Sequence, residues 1–280
     1  MSTVLGRRLG GELLHLREAL GLRQSHAAEA LSASVAKVAK MENGLVPMRD
    51  PDIRALCSAY GVTDASTVDR LCKLASLDRD RRKAKGWWRN YLWEGPMSEY
   101  LAMESVATHV RALQVSIIPG LLQTPSYVRA LFDSEEKIDA EPSKVVDIRR
   151  ERQRRLEGEN PLTLHVVMWE AALRQTVGGS DVMRGQLDHM VEMAARPNIR
   201  LQIIPFASGN RGRPISAFNI LTFDRTDALD VVYADNINSC MWAENETDSL
   251  AYTRHFHSLA EASLDERDSI RLIEEIRKDM

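Results

Sequence analysis

Residues 22–44 read LRQSHAAEALSASVAKVAKMENG, and the spacing inside this stretch decides how the first third of the chain folds. From Gln24 to Ser32 the pattern predicts a short helix with Ala27, Ala28 and Leu31 on its inward side. The next helix opens only three residues after Leu31, near Ser34, a residue whose side chain can accept an orphan backbone N–H. In this helix Val38 and Met41 form the inner face, Lys37 and Lys40 project together on another, and Asn43-Gly44 ends it. Ala28 falls where the two helices would cross, a place with no room for a bulky side chain.

Working outward, Leu5, Leu9, Leu13, Leu16 and Leu20 make one apolar stripe on a preceding helix, closed by Gly21. After the central stretch, DPDIRALCSAYG predicts a helix with Asp50 as cap and Pro51 in its first turn. Ser66 and Asp69 have capping-box spacing for a fifth. Five short helices in so few residues make an all-α bundle. Two of them joined by a tight turn, the second with paired lysines, have the outline of a helix-turn-helix. The plainer alternative is a helical bundle whose lysines are merely solvated.

Charge supports the first reading. The 280-residue chain has net charge −3, but residues 1–85 carry 15 Lys/Arg against 10 Asp/Glu, while the remainder carries 22 against 30. A basic first third on an acidic remainder fits a nucleic-acid-binding module joined to something that does not touch phosphate. The length suggests two domains, 1–80 and 81–280. Cys57, Cys72 and Cys240 cannot form a closed disulfide set and have no metal-ligand spacing. MSTVLGRRLGGELLHL lacks the apolar run of a signal peptide, and runs such as Leu164 to Trp169 are too short to span a membrane. The expectation is a cytoplasmic protein without membrane contact, metal or cofactor.

The stretch 22–44 resembles the helix-turn-helix of the lambda-repressor-like (XRE, or Cro/C1) family. The family's leading Gln matches Gln24, its helix-crossing Ala matches Ala28 and its turn-and-cap Ser matches Ser34. Its buried aliphatics match Leu31, Val38 and Met41, and its Glu-x-Gly ending matches Glu42, Asn43 and Gly44. The resemblance implies base reading by Val35, Ala36 and Lys40 and phosphate contacts by Gln24 and Asn43, with Lys37 joining them. Arg23 and Ser34 complete the implied DNA-binding set. Ser32 and Ala33 depart from the pattern, since the family often has Gly and then an aliphatic residue in this turn. Val35 and Ala36 are apolar and suit thymine methyls, which leaves Lys40 as the guanine reader.

Between the two parts, DRDRRKAK (78–85) reads as a solvated linker or helix end. Trp87, Trp88 and Trp93 follow, either as a stacking platform for single-stranded bases or as the first layer of the next core. Beyond them, helices are expected over Glu99–Val115, after Pro119-Gly120, over Ser143–Leu156 and over Asp181–Ala195. Strands are expected over Leu162–Trp169, Ile199–Phe206, Ala217–Phe223 and Asp230–Ala234. Two closing helices run over 247–262 and 263–278, the second with a Ser263/Glu266 capping box. A four- or five-stranded mixed sheet with helices makes this part α+β or α/β, and the chain as a whole multidomain.

IIPGLLQTPSYVRAL, RRERQRRL, WEAALRQTVGG, QLDHM, PNIRLQIIPF, FNILTF, VVYAD and ASLDERDSIRLIEEI stand in the order of the C-terminal domain of WhiJ-like regulators of actinobacteria. Ala234 departs from that pattern, which usually has an acidic residue there; Asp235 is one place later. The resemblance implies a regulator paired with a small protein encoded next door. No nucleophile elbow, HExxH, P-loop or GxGxxG is present, and His165, Glu170, Asp181, His189, His255 and His257 form no convergent set. His165 reads as a satisfied core histidine and Glu170 as a strand-end surface group, so no enzyme is expected. The five arginines from Arg149 to Arg155 suit nucleic acid or an acidic partner, or pair within their helix with Glu151 and Glu157. The chain thus reads as a regulator that binds operator DNA as a homodimer and receives a signal in its C-terminal domain. The runner-up is an antitoxin-like module that sequesters its partner and binds DNA for autoregulation.

Overall fold

The computed structural model describes residues 2–83, 96–133, 141–212, 216–223, 230–236, 239–243 and 245–280. The chain divides into two compact units, the first made of Met1–Gly86 and Gly95–Val106, the second of Trp87–Glu94 and Ala107–Met280.

The first unit is helical: α1 (Val4–Ala19), α2 (Gln24–Ala30), α3 (Val35–Glu42), α4 (Asp50–Ala59), α5 (Ala65–Lys83) and α6 (Pro96–Val106). The leucine stripe of α1 buries Leu5, Leu9 and Leu13, and Ala27, Val38, Met41, Ile53, Leu71 and Leu74 of the same unit are buried too. Leu20 does not join them, because the helix ends before it and leaves it 55% exposed. Two expected caps move by a residue or two. Arg49, not Asp50, caps α4, and its N–H donates to Asp52 Oδ2 (3.2 Å). Asp64, not Ser66, opens α5, accepting from the Thr67 N–H (2.9 Å) and from both neighbouring hydroxyls. Those hydrogen bonds pull its carboxyl down to a pKa of about 2.

The charged run from Asp78 is the end of α5 rather than a linker, and the expected boundary near residue 80 falls inside this helix. Its ions face structure: Arg82 binds Asp78 (2.7 Å), Arg79 binds Asp50 (2.8 Å) and Arg81 pairs with Glu99 of α6. Trp87, Trp88 and Trp93 lie outside the described residues.

The second unit is built on a mixed sheet with the described strands in the order β3-β2-β1-β4-β5-β6. They are β1 (His109–Gln114), β2 (Thr163–Trp169), β3 (Ile199–Ile204), β4 (Phe218–Thr222), β5 (Asp230–Asp235) and β6 (Cys240–Ala243). Strands β1, β2 and β3 run parallel, and the pairs β1–β4, β4–β5 and β5–β6 are antiparallel. The parallel strands are linked by helices, α7 (Pro125–Asp133) and α8 (Pro142–Gln153) before β2, then α9 (Glu170–Arg174) and α10 (Ser180–Ala194) before β3. α11 (Glu246–Ala262) packs Phe256 and Leu259 in one core with Leu113, Val167, Ile204, Phe218, Ile220 and Val232, which come from strands β1 to β5. α12 (Glu266–Lys278) closes the β3 edge: the Ile203 N–H donates to Ser269 Oγ (2.9 Å) and its carbonyl accepts from the Leu264 N–H (2.9 Å).

Six described strands stand where the sequence predicts four or five, and one of the two central ones falls within a predicted helix. The expected helix over 99–115 stops at Val106, and His109–Gln114 becomes β1, paired on both sides. Val106, Val110 and Leu113 satisfy a helical period, yet Val110, Ala112 and Leu113 also bury on a strand. Hydrogen bonding to two neighbours decides it. β6, four residues long, left no clear period. The last helix is capped by Asp265, which accepts from the Asp268 N–H (2.8 Å), while Ser263 closes α11 by donating to Leu259 O (2.7 Å).

Candidate nucleic-acid interface

The turn between α2 and α3 sets the start of α3. Ser34 caps α3, its hydroxyl accepting from the Lys37 N–H (3.2 Å). α2 ends in a Schellman motif, with Ala33 N–H bonded to Ala28 O (2.8 Å) and Ser32 N–H to Glu29 O (3.0 Å). The same two bonds end α1, α3 and α4, where Gly21, Gly44 and Gly61 take the left-handed position at φ +65°, +65° and +67°. Ser32 takes it at φ +48° without being glycine, alone among the described non-glycine residues. The departure from the family's Gly changes the residue and keeps the turn.

The backbone of α3 rests directly on α1. A Cβ at Gly10 would collide with the Glu42 carbonyl, and one at Gly44 with the Arg7 backbone. Glu42 then ties three helices together. It accepts from Arg17 Nε (2.7 Å) and Nη2 (3.0 Å) of α1 and from Gln24 Nε2 (2.8 Å) of α2. Arg17 also donates to Leu22 O (2.6 Å), and its pKa is raised chiefly by the hydrogen bond to Glu42. Both charged side chains are 7% exposed. At its far end α3 is held by Arg82, which donates to Gly44 O (2.6 Å), and by the Ser2 hydroxyl on Asn43 O (3.2 Å).

Arg23, Ser34, Val35, Ala36, Lys37, Lys40 and Asn43 are all exposed, with Val35 47% accessible despite being apolar. Gln24 is half-buried, and its amide nitrogen is committed to Glu42. The Asn43 amide nitrogen donates to Ala39 O (2.8 Å), and the Arg23 N–H donates to His26 Nδ1 (3.0 Å). Of the residues that fix the angle of α3, Gly10 and Arg17 are not singled out in the sequence, and Glu42 enters it only as part of the Glu-x-Gly ending. Gly10 has no local signature inside a helix, and 25 residues separate Arg17 from Glu42.

In the second unit the titratable candidates are dispersed. His165 meets Gln202 Oε1 (2.8 Å) and the edge of Phe256, and burial pushes its pKa down to about 4. Glu170 is not a surface group: it is 6% exposed, accepting from Arg174 Nε (2.6 Å) and from the Phe206 N–H (2.7 Å). It is a brace between β2 and the segment after β3. Asp181 pairs with Arg184 on the surface, and burial lowers the pKa of His189. The arginine run turns mostly inward. Arg149 donates to Gln123 Oε1 (3.0 Å), Arg152 is buried and Arg155 donates to Ala107 O (2.8 Å); Arg154 pairs with Glu151 (2.8 Å). Only Arg150 and Arg154 of the five are exposed. Among the described residues no group of three or more His, Cys, Asp or Glu could hold a metal ion, and no helix is long and apolar enough to cross a membrane.

Comparison with curated proteins and with solved structures gave no match. Two family models do match. Residues 8–71 match a helix-turn-helix domain, which supports a DNA-binding regulator. Residues 97–275 match the domain of unknown function DUF5753, a stretch that includes α6 of the first unit. That second match spans well over half of the sequence, so the chain belongs to the DUF5753 family and carries a helix-turn-helix domain ahead of it.

Proposed function

We propose that the protein is a sequence-specific transcriptional regulator of the XRE type. In this reading α3 enters the major groove, Lys40 reads guanine, and Val35 and Ala36 meet thymine methyls. Arg23, Gln24, Ser34, Lys37 and Asn43 supply or frame contacts to the phosphates. The observation that carries the reading is the exposed row Val35–Ala36–Lys37–Lys40 on a helix held rigidly from behind by Gly10 and Glu42. A solvated surface does not need an apolar valine half open to water at the first turn of such a helix.

One helix-turn-helix reads too few base pairs to find an operator among ~10⁶ or more competing sites. Two copies of the chain would therefore bind half-sites about 34 Å apart. The second unit would hold the dimer and receive the signal; the WhiJ-like resemblance favours a small protein from a neighbouring gene. To regulate, that partner must bind the DNA-competent and incompetent states with different affinity. Binding-site selection with the full chain and with Lys40→Ala tests the core of this. The substitution should cost about 1–3 kcal/mol on the operator and relax one base position. An identical selected motif for both proteins would show that Lys40 reads no base.

A further inference from the structure

We propose that Arg49 is a phosphate ligand of the same interface, parked on Asp52 in the free protein and exchanging that carboxylate for a phosphodiester when DNA binds. The inference rests on the DNA-binding reading above and adds a residue from a different helix.

Arg49 caps α4, and its guanidinium side chain is 74% exposed. Its Nε and Nη2 reach Asp52 Oδ2 (3.2 Å) and Oδ1 (3.3 Å), and its backbone N–H also donates to Oδ2 (3.2 Å). Asp52 is only 12% exposed. Burial opposes its ionisation, yet the hydrogen bonds from Arg49 and the charge of Lys37 outweigh this and keep the carboxyl below its ordinary range. The charges of Lys37 of α3 and of Arg49 of α4 thus act on one carboxylate, and only Arg49 is hydrogen-bonded to it. A DNA backbone that meets Lys37 comes within reach of Arg49.

The exchange is inexpensive. The guanidinium side of the pair is open to water, which screens its attraction to the carboxylate and makes its departure cheap. A guanidinium bound to phosphate makes charge-assisted, two-pronged hydrogen bonds. Asp52 is not orphaned when the guanidinium leaves, because it keeps the Arg49 N–H and the field of Lys37. In sequence Arg49 is invisible as a cationic contact, since Asp50 and Asp52 cancel its charge.

The test uses the full chain and two duplexes, the selected operator and a scrambled sequence, titrated by fluorescence anisotropy from 50 to 200 mM salt. Arg49→Ala should weaken binding to both duplexes by a similar factor. It should also lower the slope of log K against log salt by about 0.9, so that its deficit shrinks about 3.5-fold across that range. Arg49→Lys should keep the slope, and Asp52→Asn, which frees the guanidinium, should bind both duplexes at least as tightly as wild type. Asp52→Asn also removes the α4 cap. If it weakens binding as much as Arg49→Ala does, the pair only caps the helix and the proposal falls. An unchanged slope for Arg49→Ala overturns it alone. Failure of the wild-type chain to bind any duplex overturns the DNA-binding reading, and this inference with it.

Discussion

Replacing Ser32 by glycine should stabilise the helix-turn-helix. The residue sits at φ +48° in the left-handed position that ends α2, whereas α1, α3 and α4 put glycine there. A left-handed conformation costs an L-residue about 1–2 kcal/mol, because Cβ crowds the following carbonyl. Glycine removes that cost and adds about 0.5–1 kcal/mol of backbone entropy in the unfolded chain. The difference leaves about 0.5–1 kcal/mol in favour of Ser32→Gly. The Ser32 side chain is exposed, so little else is lost. Because two units need not unfold as one transition, hydrogen exchange is a better readout than a single melting midpoint. The diagnostic amide is Ala33, bonded to Ala28 O. Its protection should rise about two- to fivefold, the equivalent of that energy at 1.4 kcal/mol per decade. Ser32→Val, with its β-branch in the same conformation, should lower it. Protection that falls with glycine, as it would at an ordinary right-handed position, refutes the assignment of strain to this turn.

Gly10→Ala should loosen α1 from α3, since the added carbon meets backbone that cannot swing aside; thermal unfolding should show a loss of about 1–3 kcal/mol or more. Glu42→Gln leaves the buried Arg17 guanidinium with only the exposed Glu18 carboxylate, 3.8 Å away, and should cost up to about 3–5 kcal/mol in denaturant unfolding. If it costs no more than a surface change, the pair is not the brace described above. His165 binds protons less readily folded (pKa about 4) than unfolded (about 6.5). Stability of the second unit should therefore be level above pH 6.5 and fall as pH drops from there towards 4, because the unfolded state takes up the proton first. His165→Gln should flatten that limb, and an NMR titration of the ring in the folded protein should show no protonation at pH 6. Lys40→Ala, tested by binding-site selection as described above, separates base reading from simple charge attraction.

How much of this was readable beforehand follows the reach of the interactions. Ser34 as a cap, the inward Val38 and Met41, the outward Lys37 and Lys40 and the helix ending at Asn43-Gly44 all follow from contacts within a turn or two. Periodicity and capping chemistry act at that range, so 22–44 folds as its letters suggest. Helix starts came out a residue or two wrong where several polar residues competed, as Asp64 and Ser66 did, because only the finished hydrogen-bond set selects among them.

The remaining decisions needed partners far away in the chain. His109–Gln114 is a strand because Thr163–Met168 and Phe218–Thr222 hydrogen-bond to its two edges. Glu170 is buried because the Phe206 N–H and Arg174 satisfy it, and Arg149 and Arg155 turn inward because Gln123 and Ala107 supply acceptors there. The sequence by itself determined a helix-turn-helix whose second helix carries outward lysines, since local spacing suffices for that. The angle at which the helix is held was decided only in three dimensions, by Gly10 under Glu42 and by Arg17 against it, where van der Waals contact and Coulomb attraction act across space and leave no period in the chain.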